Sequence, residues 1–211
     1  MAVPGRMKDH RSRHRDSRGQ SLVEFSLVLL PFIILIVSIL EFGFMFAAYN
    51  SISFASHDGS QMAAEYGNTS GADGLILRQI DQDISAPANN AQIVSVDIYW
   101  VDTAFSDGRA KAGYENLWTY GGSTTFTLAD GVTTYTVPFS RSSNGYPDTS
   151  RCNVNGAIGC ANPPHTGVDT IGVTITYQYK WITPFPQLVF GNSGAGPKLV
   201  STNIMRLEPI R

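Results

Sequence analysis

At 211 residues the chain has room for one soluble domain beside a membrane segment, and its 15% charged residues and net charge of -2 exclude neither. That average hides a split. Residues 1–18 carry +4 (Arg6, Lys8, Arg11, Arg13, Arg15 and Arg18 against Asp9 and Asp16), while the remainder carries -6. Because the basic head abuts an apolar run, its charge is a topology signal and argues against a nucleic-acid partner.

The apolar run starts at Leu22, and Phe25–Leu40 holds no charge. As one helix, Phe25–Ala48 would be about 36 Å long, enough for a hydrocarbon core of about 30 Å. Basic residues before it and few charges after it predict a single-pass protein of the cell membrane, with a cytoplasmic N-terminus and an extracytoplasmic C-terminal domain. The apolar stretch is longer than a cleaved signal's core, and Phe42, Phe44 and Phe46 crowd the small-residue site that Ala47-Ala48 would offer, so a retained anchor is expected.

Two carboxylates touch this segment, Glu24 and Glu41. A charge in lipid is costly and is normally paired, turned to protein or held at the interface. Glu24 stands five residues after Gly19, at the end of the basic leader and one before Phe25. This arrangement resembles the type IV prepilin processing site. The resemblance implies cleavage between Gly19 and Gln20 by a prepilin peptidase, with Glu24 free to pair with the N-terminal amine of a neighbouring subunit.

Further residues narrow the likeness. Val23-Glu24-Phe25, Pro31, Glu41-Phe42-Gly43, Asn50 and Ala55-Ser56-His57-Asp58-Gly59 resemble the TadE-like pseudopilins, densely over residues 18–66 and more weakly at Thr170–Trp181 and Ser201–Glu208. Gln20 departs from the Phe or Met that opens many mature pilins. The resemblance implies a non-catalytic minor pilin-like subunit of a tight-adherence (Flp-type) pilus system, active in assembly, surface attachment and biofilm formation. Its implied partners are the membrane, other pilus subunits, the assembly machinery and the peptidase. The competing reading is a signal-anchored extracellular binding protein or adhesin, never processed at Gly19.

Along the chain we expect a leader over 1–19, a transmembrane and extended helix over 20–66, and an exported domain over 67–211. Ile52, Ala55, Gly59, Met62, Ala63 and Tyr66 recur at helical spacing and carry the helix to Tyr66. The stretch Gly67–Gly74 breaks it, and a short helix, Leu75–Ile84, follows with Asp73 as cap and Pro87 beyond its end. Period-two patterning then predicts strands at Val94–Trp100, at Thr124–Leu128 with Val132–Val137 as a hairpin, at Val173–Trp181 and at Leu199–Leu207. The expected fold class is α+β: a long N-terminal transmembrane helix and a small antiparallel sheet.

Ser140–Thr170 has little pattern and holds the two cysteines, Cys152 and Cys160. Outside the cytoplasm an even pair at this spacing predicts a disulfide, worth roughly 2.6 kcal/mol of loop entropy. A zinc site is not expected, since only His165 is near. Gly191–Lys198 has the glycines of a phosphate loop, but Pro197 precedes the lysine and no Ser or Thr follows, so a surface loop is expected. Asp81 and Asp83 read as a solvated helical face, and His57-Asp58 is a pair without a nucleophile. Neither cofactor, metal nor enzymatic activity is expected.

Overall fold

The computed structural model describes residues 16–153, 160, 167–184 and 195–208. They form two compact units, the first ending at Phe42 and the second running from Gly43. Helix α1, Asp16–Tyr66, contributes to both.

In the first unit α1 is apolar on every side and open to its surroundings, with Leu22 at 70% and Leu27 at 72% exposure. Pro31 lies inside it and removes one backbone donor. The hydroxyls of Ser26 and Ser38 donate to the carbonyls of Val23 (2.9 Å) and Ile34 (2.8 Å), which satisfies these two donors within the helix where lipid offers no acceptor. The helix is long and apolar enough to cross a membrane, and the protein is a single-pass membrane protein.

The second unit is α+β. After α1 come α2 (Ala72–Asp83) and five strands: β1 Ile93–Val101, β2 Ala110–Thr127, β3 Thr134–Arg141, β4 Thr170–Lys180 and β5 Ala195–Arg206. They form one antiparallel sheet in the order β3-β2-β1-β4-β5. Alternation decides its faces. On β4, Val173, Ile175 and Tyr177 are buried, while Thr174, Thr176 and Gln178 are only half-buried on the other side.

Small residues on α1 (Ala48, Ala55, Ser56, Gly59, Ser60, Ala63) are all buried and allow the helix to lie close on this sheet. At Gly59 an added Cβ would stand 3.0 Å from the Ile80 side chain of α2 and 3.6 Å from Val173 of β4. Ser56 binds β5 directly, 2.8 Å from the Ser201 hydroxyl and 2.6 Å from the Asn203 amide that donates to it. Ile76, Leu77 and Ile80 complete the apolar layer from α2.

Three expectations need correction. β2 runs for eighteen residues, not from Thr124. Its first part was hidden by Gly113 and Gly121, both at positive φ (83° and 98°), and by a register break between Tyr120 and Thr124. Second, α2 begins at Ala72 after Gly71 (φ 82°), so Asp73 lies in the first turn and is not its cap. Third, Ala195–Lys198 opens strand β5 instead of belonging to a loop, while 191–194 lie outside the described residues. The hairpin turn is as expected: the Asp130 carboxylate accepts from the amides of Val132 and Thr133, both at 2.9 Å.

Ile80 is fully buried between α1, α2 and the sheet. Ile80→Ala should lower unfolding stability by about 2–5 kcal/mol, read by denaturant titration of the detergent-solubilised chain. A loss below about 1 kcal/mol would show that the two helices do not share one core.

Candidate functional site

Three regions carry polar chemistry: the start of α1, a buried cluster at the end of the helical layer, and the uncovered face of the sheet. Gly19 and Gln20 are exposed and lie inside α1, which starts at Asp16. Nothing lies within 4 Å of a Cβ built on Gly19. One turn on, the Gln20 amide donates to the Glu24 carboxylate at 3.0 Å. Glu24 is exposed between Val23 and Phe25, which are 62% and 65% exposed. Glu41, by contrast, is buried.

The buried cluster was not legible in the chain. Arg151, with no exposed side-chain surface, forms an ion pair with Asp73 of α2 and donates to the Gly67 carbonyl at 2.9 Å, just past the end of α1. It also donates to the Tyr146 carbonyl at 3.1 Å and lies 4.9 Å from the centre of that ring. The second Asp73 oxygen accepts from Asn116 of β2 at 2.8 Å, and Asn116 itself brackets Tyr146 with both amide atoms. Tyr146 donates its hydroxyl to Asp169 at 2.5 Å, and Asp169 also accepts from the Cys152 amide at 3.0 Å. Burial, then the Asp169 charge, pushes the Tyr146 phenol up, which keeps it a donor. Cys152 and Cys160 are joined by a disulfide with Cα atoms 5.5 Å apart. Thus a loop without sequence pattern is held by buried bonds to Gly67 just past α1, to α2 and to β2, and within itself through Asp169.

On the uncovered face, Asp97 of β1 lies in a row between Leu117 of β2 and Thr174 of β4. One of its oxygens is buried with no hydrogen-bond partner among the described residues. Burial first, then the charge of Glu115, pushes its carboxyl up to about 6.

The remaining candidates do not build a reactive site. His57 and Asp58 touch at 3.1 Å on an exposed face of α1. Asp81 accepts from Asn90, and Asp83 from Gln79. Among the described residues no group of three or more His, Cys, Asp or Glu is placed to hold a metal ion. A shallow hollow of about 290 Å³ lies beside Tyr66, Leu75, Leu128 and Asp130, with a mostly apolar surface.

Fold and site together define an α+β protein with a membrane-anchoring N-terminal helix. Residues 19–61 match the family model of TadE-like protein, and over this segment the chain is similar to that family. No curated protein and no solved structure matches the chain.

Two outcomes follow from the polar groups. Arg151→Met should cost about 3–5 kcal/mol, because Asp73 would keep a buried charge without its partner. The double variant Arg151→Met, Asp73→Leu should recover part of that loss in the same denaturant titration, and no recovery would argue against a paired origin. For Asp97, the folded pKa lies above the unfolded value, so the folded state binds more protons between about pH 4 and 6. Its ionisation therefore opposes folding increasingly as pH rises through 6. Asp97→Asn should stabilise the protein at pH 8 by about 1 kcal/mol, a figure reduced for solvent screening, and change little near pH 4. Equal effects at both pH values would contradict this.

Proposed function

We propose that the chain is a minor pilin-like subunit of a tight-adherence (Flp-type) pilus assembly system, acting structurally in assembly and surface attachment. The observation that carries this reading is the match of residues 19–61 to TadE-like proteins, which starts at Gly19 and includes Glu24 and the apolar part of α1. In this proposal the chain has a leader over 1–19, an anchor and extended helix over 20–66, and an exported domain over 67–211. The N-terminus is cytoplasmic in this proposal, supported by the +4 head before the apolar run.

Processing would cut between Gly19 and Gln20. Both stand at the exposed start of a helix, where unwinding a turn for a protease is easiest, and glycine weakens the helix there. In the uncut chain the Gln20 side chain is bonded to Glu24. Cleavage would give Gln20 a free ammonium group, and Glu24 would gain a charged partner from an adjacent subunit. Prepilin peptidase, other pseudopilin subunits and the assembly machinery are the proposed partners. Pilus-dependent biofilm formation is the proposed physiological outcome.

The test is the intact mass of the chain from membranes of cells that contain a prepilin peptidase. Wild type should lack residues 1–19, and Gly19→Trp should stay full length. A wild-type chain that keeps its leader in those cells would favour the signal-anchored adhesin instead. Glu24→Gln should leave membrane level and folding unchanged but reduce recovery of pilus components in pull-downs several-fold. Equal recovery would remove the assembly role of Glu24.

A further inference from the structure

The two edges of the sheet are unlike. Edge strand β3 has eight residues and carries Pro138 in its middle. Pro138 lies where the β2–β3 register breaks between Tyr120 and Thr124. Proline and a bulge are devices that keep an edge from accepting another strand. Edge strand β5 has twelve residues, and its only proline, Pro197, comes near its start. From Leu199 to Met205 it has no charge, no proline and no glycine, and it pairs with β4 without a register break. Among the described residues no backbone hydrogen bond beyond the β4 ladder reaches Lys198–Arg206. The outer side of β5 is thus a straight row of backbone donors and acceptors with β-forming side chains.

The chemistry of this edge also selects its occupant. Lys198, Val200, Thr202, Ile204 and Arg206 alternate onto the uncovered sheet face, with Val200 and Ile204 51% and 47% exposed. Lys198 and Arg206 are exposed and bracket the uncharged run, and neither makes an ion pair among the described residues. A second copy fits badly. Antiparallel self-pairing about Thr202 sets Lys198 against Arg206 of the other copy, and parallel in-register pairing sets each cation against itself. Like charges directly opposite are destabilising in either case. A foreign strand with acidic residues at those two positions relieves both.

We propose that β5 is a docking edge for β-strand addition. Its occupant is an extended segment of another protein, uncharged and rich in β-branched residues, flanked by two carboxylates eight residues apart. Backbone hydrogen bonds to the edge would supply affinity, and the Lys198 and Arg206 contacts would set register and specificity. The inference concerns the exported domain alone and does not depend on cleavage at Gly19.

The experiment uses the full chain in detergent micelles. The probe is a labelled nine-residue peptide with Asp at both ends and alternating Val, Thr and Ile between. Controls carry Lys at both ends, or N-methyl groups on one or other set of alternate amides. Fluorescence anisotropy should show the Asp-flanked peptide binding at least tenfold tighter than the Lys-flanked one. One of the two N-methylated sets should abolish binding, and amide exchange should slow within 198–206. The double variant Lys198→Glu, Arg206→Glu, with unchanged melting temperature, should invert the preference. Should that variant fold poorly, the single reversals Lys198→Glu and Arg206→Glu should each narrow the preference.

Absence of binding, binding indifferent to the flanking charge, or protection confined to another strand would overturn the proposal. So would a dimer in sedimentation that dissolves on Thr202→Lys, since it would assign the edge to a second copy.

Discussion

The α+β unit turns on one buried ion pair, Arg151 with Asp73, placed where α1 ends and α2 begins. A helix C-terminus leaves carbonyls without partners, and Arg151 answers at Gly67. A carboxylate near a helix N-terminus is favoured by the dipole, and Asp73 stands in the first turn of α2. One guanidinium therefore serves both ends of the α1–α2 connection. Charges taken out of water repay their desolvation only when their remaining valences are satisfied. Asn116, Tyr146 and the Gly67 carbonyl do this here, although the Arg151 Nε–H finds no partner among the described residues. The arrangement forces the loop that carries Arg151 into one path, and the Cys152–Cys160 disulfide follows immediately on it.

Helix α1 obeys two codes in succession. Up to Phe42 it is apolar all round, suited to a solvent that offers no hydrogen bonds. From Ala48 on, the buried side is made of Ala, Ser and Gly together with Ile52, and the other carries His57, Gln61 and Glu65 beside the exposed Tyr49 and Phe54. The first code maximises apolar surface; the second minimises bulk so that Ser56 can reach β5 and Ile80 can fill the space at Gly59. The second half is thus an ordinary element of an α+β core, and among the described residues no helix covers the opposite face of the sheet.

An uncovered sheet face and an unblocked edge are both liabilities in water, and the chain treats them differently. The face mixes threonine, serine and glutamine with the half-exposed Val200 and Ile204, and Asp97 has one buried oxygen there without a hydrogen-bond partner among the described residues. The β3 edge is spoiled by Pro138 and the neighbouring bulge. The β5 edge keeps its regular ladder and is guarded only at its two ends, by Lys198 and Arg206.

Local periodicity was enough for the elements whose faces differ in polarity. The membrane helix, its continuation to Tyr66, the alternation of β1 and β4 and the return of β5 were all readable, because burial on one side writes itself into the spacing of apolar residues. Even β2 left a trace in Tyr114, Asn116, Trp118 and Tyr120 on alternate positions, but its glycines at positive φ broke the pattern into pieces too short to recognise. The Gly19 and Glu24 spacing was likewise local. What only the tertiary structure decided was the meeting of Arg151 with Asp73, Tyr146 with Asp169, and Asp97 with its orphaned oxygen. These depend on residues 78 and 23 positions apart, or on neighbours in the two adjacent strands, and no period along the chain encodes such distances. A charge reads as solvated until the fold takes its water away.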